Sequence, residues 1–95
     1  MHYKSIHFSR HAIERMFERA ISPGDVRDVV TQGEMIEEYP DDVPFPSMLI
    51  FGFIDKRPVH VVAAVDKKTD NCYVITVYIP DTSIWSDDFR TRRSL

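Results

Sequence analysis

Ninety-five residues with 43% hydrophobic and 12% aromatic side chains suit a single compact domain with a modest core spanning residues 1–95. A net charge of −3 argues against a protein that coats nucleic acid through bulk electrostatics, although a local basic site is compatible with it. The lone Cys72 excludes an internal disulfide, the apolar run from Met48 to Ile54 is too short to cross a bilayer, and no signal-like segment opens the chain, so a cytoplasmic protein without membrane association is expected.

In chain order, Met1 to Phe8 reads as a short, weakly patterned strand. Ser9 then has the character of an N-cap for a helix running to about Ala20, in which Ile13, Met16, Phe17 and Ala20 recur at helical spacing as an apolar stripe. On the opposite side fall His11, Arg15, Glu18 and Arg19, so that a histidine and two arginines line up at i, i+4 and i+8. A second, short helix follows, with Ser22 as N-cap, Pro23 in its first turn, Asp25 in the favourable first turn, an apolar edge of Val26, Val29 and Val30, and Gly33 as a left-handed stop. The tight connection predicts an antiparallel helical hairpin.

From Glu34 the period changes to that of strands. Met35–Tyr39 is one strand, a loop containing Pro40, Pro44 and Pro46 follows, and Ser47–Ile54, Val59–Val65 and Cys72–Ile79 are three more. The expected architecture is α+β, the helical hairpin packed on one face of a small antiparallel sheet, with a polar tail that frays after about residue 88. Placing the apolar odd-numbered positions of the last two strands on the core face pairs Val61 with Val77 and Ala63 with Ile75. The same register sets His60 opposite Tyr78 and Val62 opposite Thr76 on a face left uncovered. Trp85 is expected to pack the chain end against the core.

These residue types suit metal-free phosphodiester chemistry. One imidazole or phenol takes a proton from a ribose 2′-OH, another group protonates the departing 5′-oxygen, and guanidinium groups hold the phosphate. The candidates are His60 and His11 for proton transfer, Tyr78 and Thr76 for positioning, and Arg15 and Arg19 for the phosphate. With one cysteine and no carboxylate set at ligand spacing, no metal and no cofactor is expected.

The segments Ser9-x-His11-Ala12-x-x-Arg15-Met16-x-Glu18-Arg19-x-Ile21, Gly33-Glu34-x-Ile36-Glu37-x-Tyr39, Arg57-Pro58-x-His60-Val61-Val62 and Ile75-Thr76-Val77-Tyr78-x-Pro80-Asp81 with Trp85 resemble a bacterial domain-of-unknown-function family. Its genes often lie beside a zinc-finger antitoxin of the YgiT or MqsA type. The resemblance implies a RelE-, ParE- and MqsR-like toxin fold, a toxin-like endoribonuclease acting on RNA without a metal, and a cognate zinc-finger antitoxin as protein partner. It also leaves room for a non-catalytic protein-binding module or a ParE-like toxin that binds gyrase.

Overall fold

The protein is described by a computed structural model covering residues 2–94. Its elements are β1 (Ser5–Phe8), α1 (Arg10–Glu18), α2 (Pro23–Gln32), β2 (Glu34–Tyr39), β3 (Ser47–Ile54), β4 (Arg57–Asp66) and β5 (Asn71–Tyr78). The strands form one five-stranded sheet in the order β1-β5-β4-β3-β2. The fold is α+β, two helices on one face of that sheet, but the sheet is mixed rather than antiparallel. β1 runs parallel to β5, pairing Ser5 with Asn71 and Phe8 with Val74. A short N-terminal strand thereby covers half of an edge that would otherwise expose its backbone.

Ser9 caps α1, its hydroxyl accepting from the Ala12 N–H. The helix ends earlier than its sequence suggests, through a left-handed Ala20 (φ 54°) whose N–H bonds the Phe17 carbonyl while the Ile21 N–H reaches back to Met16. Buried Ile21 and Met16 close this turn from the inside. The buried side of α1 is Ala12 and Met16, not the expected stripe, for Ile13 is 54% and Phe17 88% exposed. A nine-residue helix lying at the sheet margin buries a narrow strip, so of the apolar stripe Ile13, Phe17 and Ala20 stay outside and Met16 alone is buried.

Ser22 and Asp25 form a reciprocal capping box on α2. At its other end Gly33 is not left-handed (φ −73°). Space is the reason for glycine there, because a Cβ would sit 2.4 Å from the Val29 carbonyl oxygen and 2.7 Å from that of Phe51. The helices pack mainly on the sheet rather than on each other, α1 over β5 and α2 over β3 and β4, in place of a self-packed hairpin. Ala12, Met16, Val26, Val29 and Val30 share one core with Ile50, Val59, Val61, Ala63, Cys72, Val74 and Val77.

In the β4–β5 pair, Val61 opposes Val77, His60 opposes Tyr78 and Val62 opposes Thr76. The register then shifts, and Ala63 meets Val74 instead of Ile75. The extra residue of this bulge turns Ile75 outward, to 41% exposure, and brings Cys72 and Val74 into the core in place of the expected Tyr73 and Ile75.

The face away from the helices is not bare. Residues 81–93 fold back across it: Trp85 is buried, bridges to Arg92, and lies edge-on to the His60 ring at 4.5 Å. Arg90 pairs with Glu34 at 3.0 Å and Arg92 with Glu37 at 3.3 Å. Residues 89–93, expected to fray, are thus tied to β2 and to the strap itself. Among the described residues, no helix is long and apolar enough to cross a membrane.

Candidate functional site

Directly opposed residues share a face, so the outer face of the sheet can be read in rows. One row is Glu34, Phe51, His60 and Tyr78; the next is Glu37, Leu49, Val62 and Thr76; the third is Tyr39, Ser47, Ala64, Tyr73 and, on β1, His7. The strap covers the middle of the first row, where Trp85 lies on His60 and Phe89 and Arg90 lie on Phe51, and leaves Tyr78 half-buried at its end. Beyond the strap, half-buried Val62 and Thr76 face solvent.

His11 reaches this face from the helix side. Because β1 pairs only as far as Val74, α1 begins at the open margin of β5, where the Ser9 N–H bonds the Val74 carbonyl and the Ser9 hydroxyl donates to the Ile75 carbonyl. That anchor swings the exposed His11 ring over the margin, its Nε2 3.0 Å from Thr76 Oγ1. Thr76 and Tyr78 are two residues apart along the strand, hence about 6.6 Å apart on one side of it.

His60 is fully buried. Its Nε2 lies 2.8 Å from the Phe89 carbonyl and its Nδ1 3.1 Å from the Tyr78 hydroxyl. A carbonyl only accepts, so Nε2 carries the proton, and the neutral ring accepts the Tyr78 O–H at Nδ1. Burial pushes the His60 pKa below the ordinary imidazole value, with Arg92 acting the same way and the Phe89 carbonyl and Glu37 opposing. Burial pushes the Tyr78 phenol up, Arg92 opposing and Tyr39 and Glu37 adding to it. His60 therefore has no direct access to a ligand. It orients Tyr78, whose oxygen lone pairs remain for an outside donor.

Arg15 lies one helical turn beyond His11, and its guanidinium pairs with Glu18 at 2.7 Å. Arg19 is the C-cap of α1, two turns and about 12 Å of helix rise from His11, and its carbonyl accepts from Arg57. Of the two arginines, Arg15 is therefore the nearer to His11 along the helix.

Three residues outside the candidate set, Glu37, Tyr39 and Arg92, join the outer face. Tyr39 donates to Glu37, which also receives Arg92, so a phenol, a carboxylate and a guanidinium sit on β2 and the strap. Burial raises the Glu37 pKa, but the bonds from Tyr39 and Arg92 outweigh it and hold the carboxyl below the usual range. The i,i+2 spacing of Glu37 and Tyr39 in a strand was a legible signal; nothing local marked Arg92. This trio lies three strand spacings, about 14 Å, from the His11–Thr76 pair. Among the described residues, no group of three or more His, Cys, Asp or Glu side chains is arranged to hold a metal ion.

A family model described as "Domain of unknown function (DUF4258)" matches residues 8–79. The match takes in both helices, the strands from β2 to β5 and every candidate residue from His11 to Tyr78, while the strap lies beyond it. No curated protein and no solved structure matches the chain.

Proposed function

The chain belongs to this domain family of unknown function, DUF4258, and from its own site we propose that it is a metal-independent endoribonuclease of the toxin type. The observation that carries the reading is the 3.0 Å contact of His11 Nε2 with Thr76 Oγ1, which holds an exposed imidazole on the same sheet face as Tyr78. Thr76 and Tyr78 stand two residues apart on β5, so His11, held on Thr76, and the Tyr78 hydroxyl, held on His60, are two groups on this face able to move a proton.

In this mechanism the ribose 2′-oxygen attacks phosphorus as its proton passes to the Tyr78 oxygen and the phenolic proton moves to His60 Nδ1. The bond from phosphorus to the 5′-oxygen breaks, and His11 in its imidazolium form gives that oxygen a proton. The products are a 2′,3′-cyclic phosphate and a 5′-hydroxyl, and no further reactant is consumed. Thr76 fixes the His11 ring, Arg15 offsets the charge that grows on the phosphate, and His60 is a positioning and relay residue. The resemblance of the motif positions to a family encoded beside YgiT- and MqsA-type genes supports a cognate zinc-finger antitoxin as partner and a RelE- or MqsR-like origin of the fold.

The test is induction of wild type and His11→Ala in a bacterial host with mapping of new RNA 5′-hydroxyl ends, which also detects cleavage confined to ribosome-bound RNA. New ends with wild type, reduced at least a hundredfold by His11→Ala at equal soluble protein, are expected. Equal numbers of ends with both proteins would remove His11 from the chemistry. No ends with either would favour a second reading, a non-catalytic protein-binding module, whose supporting observation is the exposure of Ile13, Phe17 and Ile75 on and beside α1.

A further inference from the structure

Three aromatic rings form a continuous stack beside the proposed site. Tyr73 on β5 lies 5.6 Å from Phe45, their planes 8° apart, and 5.2 Å from His7 on β1, with planes 18° apart. Tyr73 points to the outer face because of the bulge in β5, so these rings take no part in the core between helices and sheet. His7 ends the stack at the sheet margin and is exposed. Its orientation is fixed twice, by the ring beneath it and by Ser5 Oγ, 2.8 Å from His7 Nε2. Since the Ser5 proton is spent on Asn71 Oδ1 at 2.6 Å, the Ser5 oxygen accepts from His7 Nε2–H. An exposed ring held flat in this way offers a preorganised planar surface.

We propose that the outer face of His7, backed by Tyr73 and Phe45, is a stacking subsite for one unpaired nucleobase of a single-stranded RNA. The inference rests on the ribonuclease reading and names its substrate class. Only an unpaired, unstacked base presents a free face to a protein ring, which selects single strands over duplex. The position fits as well. Tyr73 and Thr76 are three residues apart on β5, about 10 Å, and His7 is one strand spacing of about 4.8 Å beyond Tyr73, so a strand of a few nucleotides with one base on His7 can run along this margin to the His11–Thr76 pair. Because base stacking does not depend on net charge, such a subsite is compatible with a chain of net charge −3.

The experiment measures binding of an uncleavable 2′-deoxy hexanucleotide, and of the same strand with one abasic position, to wild type, His7→Ala and His7→Phe, alongside cleavage of the ribo-hexanucleotide. His7→Ala is expected to weaken binding of the intact strand about tenfold, and His7→Phe, which keeps a ring, to stay within about twofold of wild type. The abasic strand should bind weakly to wild type and be indifferent to His7→Ala. Equal binding by wild type and His7→Ala, a His7→Phe as weak as His7→Ala, or no binding of the strand at millimolar concentration would each overturn the subsite. Binding that depends on His7 without cleavage would keep the subsite and remove the ribonuclease; cleavage equal in wild type and His7→Ala at every substrate concentration would do the reverse.

Discussion

His60 shows how one residue's burial changes its chemistry. On an open sheet face a strand histidine is a candidate acid or base in direct contact with a ligand; under Trp85, with both nitrogens engaged, it can act only through Tyr78. Replacing it with alanine removes two hydrogen bonds and leaves a hole beneath the indole, so a loss of about 3 kcal/mol in denaturant unfolding is expected. Its lowered pKa has a definite sign. The unfolded chain binds the proton first, at the ordinary value of about 6.5, and the folded protein resists it. Stability contributed by neutral His60 is therefore full above that value and is lost as pH falls through it toward the lower folded value. Unfolding curves measured between about pH 7 and 5 should show wild type losing stability more steeply than His60→Phe, and parallel curves would refute the assignment.

Helix ends are where the elements declare their constraints. α1 stops at an alanine in the left-handed region, a conformation that glycine adopts without a Cβ clash, so Ala20→Gly should raise stability by about 0.5–1 kcal/mol in chemical denaturation. α2 stops at a glycine of ordinary φ whose absent side chain is what lets the helix end meet β3. Gly33→Ala pushes a methyl group into two carbonyl oxygens, and a loss of about 2–3 kcal/mol by the same measurement is expected. The two substitutions have opposite signs. A reader of sequence alone would rank them wrongly, because a glycine after a helix suggests a left-handed cap.

Across the whole molecule, the C-terminal strap decides what the outer face can do. Its ion pairs, Arg90 with Glu34 and Arg92 with Glu37, are largely exposed and contribute about 0–1 kcal/mol each. The buried Trp85 contributes more, since tryptophan-to-alanine substitutions in cores cost about 3–5 kcal/mol. Salt should accordingly leave the strap in place while Trp85→Ala releases it. Because Trp85 is the sole tryptophan, its fluorescence reads the first half of that statement directly: emission should stay blue-shifted in high salt. Hydrogen exchange at residues 86–93 reads the second, and protection there that survives Trp85→Ala would show that the ion pairs hold the strap.

Much was legible in the sequence because it depends on neighbours along the chain. The caps Ser9 and Ser22, the two helices, the four longer strands and the opposition of His60 to Tyr78 and Val62 to Thr76 follow from periodicity and local hydrogen bonding. His11, Thr76 and Tyr78 are candidates because residue type and position along helix or strand can be read there together. What remained hidden depends on partners far apart in sequence. The parallel pairing of β1 with β5 joins Ser5 to Asn71 across 66 residues, and Arg92 meets Glu37 across 55. One bulged residue at Ile75 carries no signature of its own, yet it sends Tyr73 outward to stack with His7 and Phe45. Local propensity and alternation thus determined the elements and most of the candidate residues. Tertiary structure alone decided which of them stay open to a ligand, because burial of His60 and exposure of His7 are set by what the rest of the chain lays across the sheet.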